Sequence, residues 1–326
     1  MPVMPDFELL RPDSAEAAVA LHASRPASRY LAGGTDLLPN LRRGLADTAT
    51  VIDLSGITEL AGIRVEADAV HIGAGTTLAA LAAHPGIAAR LPALAQAALA
   101  VAGPTHRESA TLGGNLCLDT RCRYYNQSTP WREANHFCMK LEGDVCRVAP
   151  KSKRCYAAFS GDVAPALLAL DAEVDIVGTN GRRTLALAEF YRDDGMRWLV
   201  LDRGELLASV RVPLAPGWSS GYEKLRIRGA IDFPLSGVAV ALARDGERLA
   251  GLRIACTGVS SRPERIEGLD ALVGQPLDDA AFTRIERSVL RGIQSMETTT
   301  ANVQYRRRAT PILARRLVAR LWAQSA

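Results

Sequence analysis

Four of the six cysteines in this 326-residue chain, Cys122, Cys138, Cys146 and Cys155, follow the spacing C-x15-C-x7-C-x8-C within one polar stretch. That stretch, Asp119 to Tyr156, holds eight Lys or Arg against four Asp or Glu and has too few apolar residues to order itself by burial. Four thiolates converging on one centre would order it, as a zinc site or a cubane iron–sulfur cluster, and unligated thiols are the third reading. Structural zinc favours closely spaced cysteine pairs, which are absent among these four, and a basic wrapping suits an anionic cluster. His136, two residues before Cys138, is a surface residue or a substitute ligand. Cys117 and Cys256 read as a residue crowded by a glycine loop and a small core residue.

Two glycine pairs offer different chemistry: Leu31-Ala32-Gly33-Gly34-Thr35-Asp36-Leu37 and Thr111-Leu112-Gly113-Gly114-Asn115. Consecutive glycines allow φ > 0 and present successive N–H groups without a Cβ, as binding a pyrophosphate requires. Thr35, Thr111 and Asn115 add side-chain donors. Either pair alone reads as a tight turn rather than a phosphate site, whereas two such loops after apolar segments suit one dinucleotide as well as two turns. Gly73-Ala74-Gly75 lacks the remainder of a Rossmann fingerprint and reads as a turn. No Gly-x-Ser-x-Gly elbow occurs, so hydrolytic chemistry has no evident machinery.

The elements that must hold these loops can be read in order. Strands are expected around Tyr30 and over Val51 to Leu54, and from Ala69 a strand turns into a Leu78 to Ala83 helix capped by Thr76 or Thr77. One long helix is expected from Ala88 to Val101, stopped by Gly103-Pro104. Pro165 to Asp171 reads as a buried helix and Glu173 to Val177 as a strand, and Asn180-Gly181 as a hairpin turn returning through Leu187. A unit boundary falls near Pro213 to Gly221, between strands Leu206 to Val212 and Gly221 to Ile227, and Asp245-Gly246 marks a further turn. A C-terminal helix is expected to open at Thr310-Pro311, with Ile312, Leu313, Leu317, Leu321 and Trp322 on one face docked on its own unit or on another subunit.

Composition is that of a globular protein, with 48% hydrophobic and 23% charged residues. A net charge of +4 argues for neither nucleic acid nor an anionic membrane. Met1 to Pro12 carries Asp6 and Glu8 and no apolar stretch, so no secretory signal or membrane span is expected. The cysteines should be reduced, in the cytoplasm.

Ala32-Gly33-Gly34-Thr35-Asp36, Thr111-Leu112-Gly113-Gly114-Asn115, Asp162-Val163-Ala164-Pro165-Ala166-Leu167 and Tyr222-Glu223-Lys224 together resemble, in order and spacing, the FAD-binding subunits of the xanthine dehydrogenase and carbon monoxide dehydrogenase family. The resemblance spans nearly the whole chain. It implies an α+β fold: a two-subdomain FAD-binding fold of the molybdenum hydroxylase flavoprotein type with a smaller C-terminal α/β domain. The units would be 1–55, 56–217 with a 4Fe-4S loop insertion at 118–158, and 218–326. Leu31 to Leu37 and Thr111 to Asn115 would line the FAD diphosphate, with Asp162, Leu207, Lys224 and the Val101 backbone touching other parts of FAD.

Most of the family has only a short connection between Asn115 and Asp162. The words Asn-Leu-Cys-Leu-Asp-Thr-Arg-Cys-Arg-Tyr-Tyr-Asn-Gln (115–127), with Cys138, Cys146 and Cys155 after them, look like the 4-hydroxybenzoyl-CoA reductase β-subunit branch. That resemblance implies a 4Fe-4S cluster on Cys122, Cys138, Cys146 and Cys155. It also implies a molybdopterin-binding large subunit, a 2Fe-2S small subunit and a dimer of heterotrimers, with no catalytic residue in this chain. Reduced ferredoxin would pass electrons through 4Fe-4S, FAD and 2Fe-2S to molybdenum, where 4-hydroxybenzoyl-CoA is dehydroxylated to benzoyl-CoA. Lys151, Lys153 and Arg154 would attract an acidic ferredoxin or form a solvated face. The alternatives are a molybdenum hydroxylase flavoprotein oxidising another aromatic or N-heterocyclic substrate, and a flavoprotein with a zinc-stapled loop.

Overall fold

The computed structural model describes residues 4–325. Residues 1–3 and Ala326, at the ends of the expected 1–55 and 218–326 units and of the Met1 to Pro12 reading, lie outside the described residues. Strands β1 (Glu8–Leu10), β2 (Arg29–Leu31) and β3 (Thr50–Asp53) form a parallel sheet in the order β1-β3-β2. The helix Ala15–Ser24 makes the crossover between β1 and β2, its first turn capped by Ser14, which accepts from the Ala17 N–H. Ala15, Ala18 and Val19 of that helix pack with Ile52 and with Val177, Leu206 and Ala208 of the next sheet.

That second sheet is antiparallel, in the order β4-β5-β8-β6-β7, from β4 (Ile63–Val65), β5 (Ala69–Gly73), β6 (Glu173–Gly178), β7 (Gly181–Ala186) and β8 (Leu206–Pro213). The β6–β7 turn is made at Asn180-Gly181, with Gly181 at φ +104. Val70, Ile72, Val174, Ile176, Val210 and Val212 alternate along three strands and bury one face against helices Leu78–Ala83, Pro92–Ala100 and Val163–Ala169. The third sheet, antiparallel β12-β11-β10-β9, consists of β9 (Trp218–Leu225), β10 (Ser236–Asp245), β11 (Arg248–Thr257) and β12 (Glu264–Arg265). Its central strand β10 is apolar on both faces because both are covered. Val238, Val240 and Leu242 face helices Asp279–Gly292 and Val303–Gln324, whereas Ala239 and Ala241 face the core of the second sheet.

Three local expectations change. The single helix from Ala88 to Val101 is two, Pro85–Arg90 and Pro92–Ala100, because Pro92 has no N–H to continue the ladder and instead opens a new first turn. Strand β9 starts at Trp218 rather than Gly221, leaving a connection of only a few residues after β8. The C-terminal helix starts at Val303, where Asn302 Oδ1 accepts from Gln304 and Tyr305, and Pro311 lies inside it.

Arg306 ties down those extra turns. Its fully buried guanidinium donates to the carbonyls of Leu235, Met296 and Gly258 and to Thr298 Oγ1. The face that docks is Ala314, Leu317, Val318 and Leu321, with Leu313 and Trp322 partly buried beside it, and Ile312 is exposed. That face packs on the chain's own β9, β10 and helix Asp279–Gly292. Among the described residues, no helix is long and apolar enough to cross a membrane.

Candidate flavin cavity and cysteine segment

A cavity of about 920 Å³ opens where the three sheets meet. The first glycine pair follows β2 directly. Gly34 takes φ +72, and the backbone N–H groups of Gly33, Gly34, Thr35 and Asp36 meet no acceptor among the described residues. Gly33 abuts the backbone of helix Pro104–Ser109, where a Cβ would stand 1.7 Å from the Ser109 carbonyl oxygen. Four free amides on one loop suit an anion, and the missing Cβ lets the two walls close on it.

The second pair is built differently. Thr111 caps the short helix Leu112–Leu116, its Oγ1 accepting from Gly114 N at 3.1 Å. Leu112 N donates to Thr76 O and Gly113 N to Ala74 O at 2.7 Å, and Asn115 Oδ1 accepts from Val163 N. These amides are committed to the protein, so this loop shapes the cavity wall by close packing. A Cβ on Gly113 would meet that of Ala74 at 2.8 Å. The Gly73-Ala74-Gly75 turn is thus the floor under this loop, and Ala74, Gly75 and Thr77 line the cavity, which its reading as a bare turn missed.

Ala32, Gly33, Gly34, Thr35, Asp36, Leu37, Val101, Thr111, Gly113, Gly114, Asn115, Asp162 and Leu207 all line this cavity. Leu31, Leu112 and Lys224 stand behind it. Leu112 is fully buried core, and Lys224 Nζ reaches Asp162 Oδ2 at 2.9 Å with both side chains nearly fully buried. Tyr222 donates to Asp162 Oδ1 at 2.6 Å, and Lys224 also donates to Ala100 O. Burial pushes the Asp162 carboxyl up from its ordinary value, and the Lys224 ammonium opposes that shift. The sequence reading missed the wall made by Arg228, Ile231, Asp232 and Phe233, from the β9–β10 connection, and by His106 and Glu108. Nothing in their local sequence marks them: residues 228 to 233 reach the cavity through the docking of the third sheet, and His106 and Glu108 through the packing of helix Pro104–Ser109 against the Gly33 loop.

The cysteine segment closes beside this cavity. Cys122, Cys138 and Cys155 share one small buried cluster with Tyr125, Leu45 and Ala157. Three sulfurs accept backbone N–H groups: Cys122 from Tyr125 at 3.3 Å, Cys146 from Tyr156 at 3.4 Å and Cys155 from Ala157 at 3.4 Å. The Cys146 and Cys155 thiols lie close enough to share a proton, which draws Cys146 down and pushes Cys155 up from the ordinary thiol value. Burial raises Cys122.

Among the described residues, no three His, Cys, Asp or Glu side chains are grouped so as to hold a metal ion. The N–H groups aimed at Cys122, Cys146 and Cys155 satisfy these sulfurs as weak acceptors. Lys140 pins the segment, donating to Asp119 Oδ1 at 2.7 Å and Gly195 O at 2.7 Å, with the Tyr125 and Trp198 rings about it. Gly195 N in turn donates to Cys155 O. Cys117 lines the cavity with its thiol pushed up to about 12 by burial, and Cys256 is core in β11. Arg154, expected among the surface charges, pairs with Asp193 and Gln294.

Three sheets around a glycine-lined, dinucleotide-sized cavity, with a capping C-terminal layer, define a flavoprotein of the two-loop type. The family described as "FAD binding domain in molybdopterin dehydrogenase" matches residues 5–215, and "CO dehydrogenase flavoprotein C-terminal domain" matches 220–323. The chain is 35% identical over 270 residues to the aldehyde oxidoreductase FAD-binding subunit PaoB of Escherichia coli, covering 79% of this chain and 83% of that one. It is 30% identical to the carbon monoxide dehydrogenase medium chain of Hydrogenophaga pseudoflava, covering 99% of this chain and 100% of the relative. A solved structure of carbon monoxide dehydrogenase from that organism superimposes with a TM-score of 0.82 at 28% identity, covering 99% and 100% of the two chains. This chain belongs to the FAD-binding subunits of the molybdenum hydroxylase family.

Proposed function

We propose that this chain is the FAD and 4Fe-4S electron-transfer subunit of a cytoplasmic 4-hydroxybenzoyl-CoA reductase, taking electrons from reduced ferredoxin and delivering them toward a 2Fe-2S small subunit and a molybdopterin-binding large subunit. The observation that carries this reading is the set of buried cysteines in the inserted segment, three of them accepting backbone N–H bonds, next to the flavin cavity. FAD supplies the exchange between one- and two-electron donors and acceptors. The chain's residues would bind and orient it: Gly33 to Asp36 offer free amides to the diphosphate, Asp162 with Tyr222 and Lys224 makes a fixed polar wall, and Leu207 and the Val101 backbone complete the contacts. Cys122, Cys138, Cys146 and Cys155 would hold the cluster. The units 1–55, 56–217 and 218–326 and a dimer of heterotrimers belong to the same proposal.

A second reading is favoured by the names of the relatives, which include a nicotine 6-hydroxylase medium subunit and a nicotinate dehydrogenase FAD-subunit. Here the chain is the FAD subunit of another molybdenum hydroxylase, oxidising an aromatic or N-heterocyclic substrate, and the cysteine segment is a zinc-stapled loop. An anaerobic preparation of the complex assayed for iron, zinc, acid-labile sulfide and FAD, beside its Cys146→Ser version, separates the two. The first reading expects roughly four irons and four sulfides per chain that the variant loses. Zinc without sulfide supports the second. Turnover with 4-hydroxybenzoyl-CoA and reduced ferredoxin then tests the substrate.

A further inference from the structure

Five carboxylates line the flavin cavity, Asp36, Glu108, Asp162, Glu205 and Asp232, against one guanidinium, Arg228. The ligand of such a glycine loop is a diphosphate, itself anionic, so uncompensated carboxylates would repel it. Four of the five are met by a cation: Asp162 by Lys224 at 2.9 Å, Glu205 by Arg183 at 2.6 Å, Asp232 by Arg228 at 3.3 Å and Asp36 by Arg121 at 3.5 Å. Asp36 matters most, because it belongs to the loop with the free amides.

Arg121 does not belong to either glycine loop. It comes from the cysteine segment, one residue before Cys122. Its guanidinium lies between Asp36 Oδ1 and Asp119 Oδ2, the latter at 3.6 Å, and stacks 5.3 Å from the centre of the Tyr125 ring. Asp119 is already paired with Lys140 at 2.7 Å, which leaves the Arg121 charge available to Asp36. The side chain is only 14% exposed, and its Nη1 is buried without an acceptor among the described residues. Reciprocal backbone bonds with Ala158 hold the Arg121 main chain in place.

We propose that Arg121 is a positioning residue for the cofactor: it supplies the counter-charge that lets Asp36 sit on the diphosphate loop, and so makes FAD affinity depend on the cysteine segment. This rests on the reading of residues 31–37 as the diphosphate cradle. Removing Arg121 leaves Asp36 as an uncompensated anion beside the diphosphate, and removing Asp36 as well takes the repulsion away.

The test is a double-mutant cycle in the assembled complex, with FAD released and its rebinding followed by flavin fluorescence. Arg121→Met should weaken FAD binding about tenfold, equivalent to about 1.4 kcal/mol. Arg121→Lys should retain most of the affinity, Asp36→Asn should bind at least as well as the wild type, and Asp36→Asn with Arg121→Met should return to the Asp36→Asn value. A loosened cysteine segment could not be repaired by removing Asp36, so rescue identifies charge as the cause. Wild-type affinity in Arg121→Met, or no rescue in the double variant, overturns the proposal. Unchanged FAD affinity in Gly33→Ala overturns the cradle reading instead.

Discussion

Gly33 approaches Ser109 so closely that a Cβ on the glycine would stand 1.7 Å from the Ser109 carbonyl oxygen. The neighbour is backbone, so no side-chain rotamer can yield, and the loop carrying the free amides would have to back away. Gly33→Ala should therefore cost about 1–3 kcal/mol of stability and release FAD, whereas Gly62→Ala should retain it. Gly62 has open space around it, although its φ of +100 adds local strain. Flavin content per chain after gel filtration, with urea unfolding, checks both.

The Asp162–Lys224 pair makes stability depend on pH with a definite sign. A carboxyl whose folded-state pKa is raised binds its proton more tightly in the folded protein, so its favourable contribution is present at low pH and is lost as pH rises through the folded value. Lys224→Met removes the charge that opposes this shift. The variant should lose about 3–5 kcal/mol near neutral pH and recover part of it on acidification. Unfolding curves from the ordinary carboxylate range up to neutral pH measure this, and Asp162→Asn in the same background should flatten the dependence.

Cys138→Ser should abolish the proposed cluster while sparing FAD. Arg121 is fixed by its backbone bridge to Ala158, outside the Cys138 turn, so the counter-charge at Asp36 survives. Iron, sulfide and FAD assays on one preparation decide it. Loss of FAD together with iron would show that the two sites fold as one.

Arg306→Met should destabilise the chain by roughly 3 kcal/mol, because buried carbonyls at Leu235, Met296 and Gly258 lose their donor. Burial already lowers the guanidinium to about 10, the strain of a charge held without a carboxylate. Lysine should not restore stability, since a single ammonium cannot reproduce the planar fork. Chemical denaturation of the three proteins measures the difference.

Lys151 and Lys153 are exposed, whereas Arg154 is tied to Asp193 beside Cys155. Lys151→Gln with Lys153→Gln should flatten the salt dependence of ferredoxin-driven reduction if these charges steer the donor. Arg154→Gln should instead lower iron content. Stopped-flow reduction at several ionic strengths distinguishes a steering role from a solvated face.

Features governed by rules of short range were legible in the residues alone. Thr77 caps Leu78–Ala83 where the sequence places a cap, Asn180-Gly181 turns the β6–β7 hairpin, and both glycine pairs stand in the cavity wall, because caps, turns and Cβ-free loops depend on a few neighbouring residues. Local rules misled where distant contacts outweigh them. Pro311 looked like a helix start, but Asn302 and the buried Arg306 extend the helix ahead of it. Only the tertiary structure decided that the amides of the first glycine loop are free while those of the second are bonded to residues 74 to 76 and to its own cap. It also decided that a carboxylate on that loop is neutralised by an arginine some eighty positions away, across a cysteine-segment interface. Such pairings follow from how sheets and inserts pack, and packing brings together charges whose separation along the chain leaves no trace in either neighbourhood.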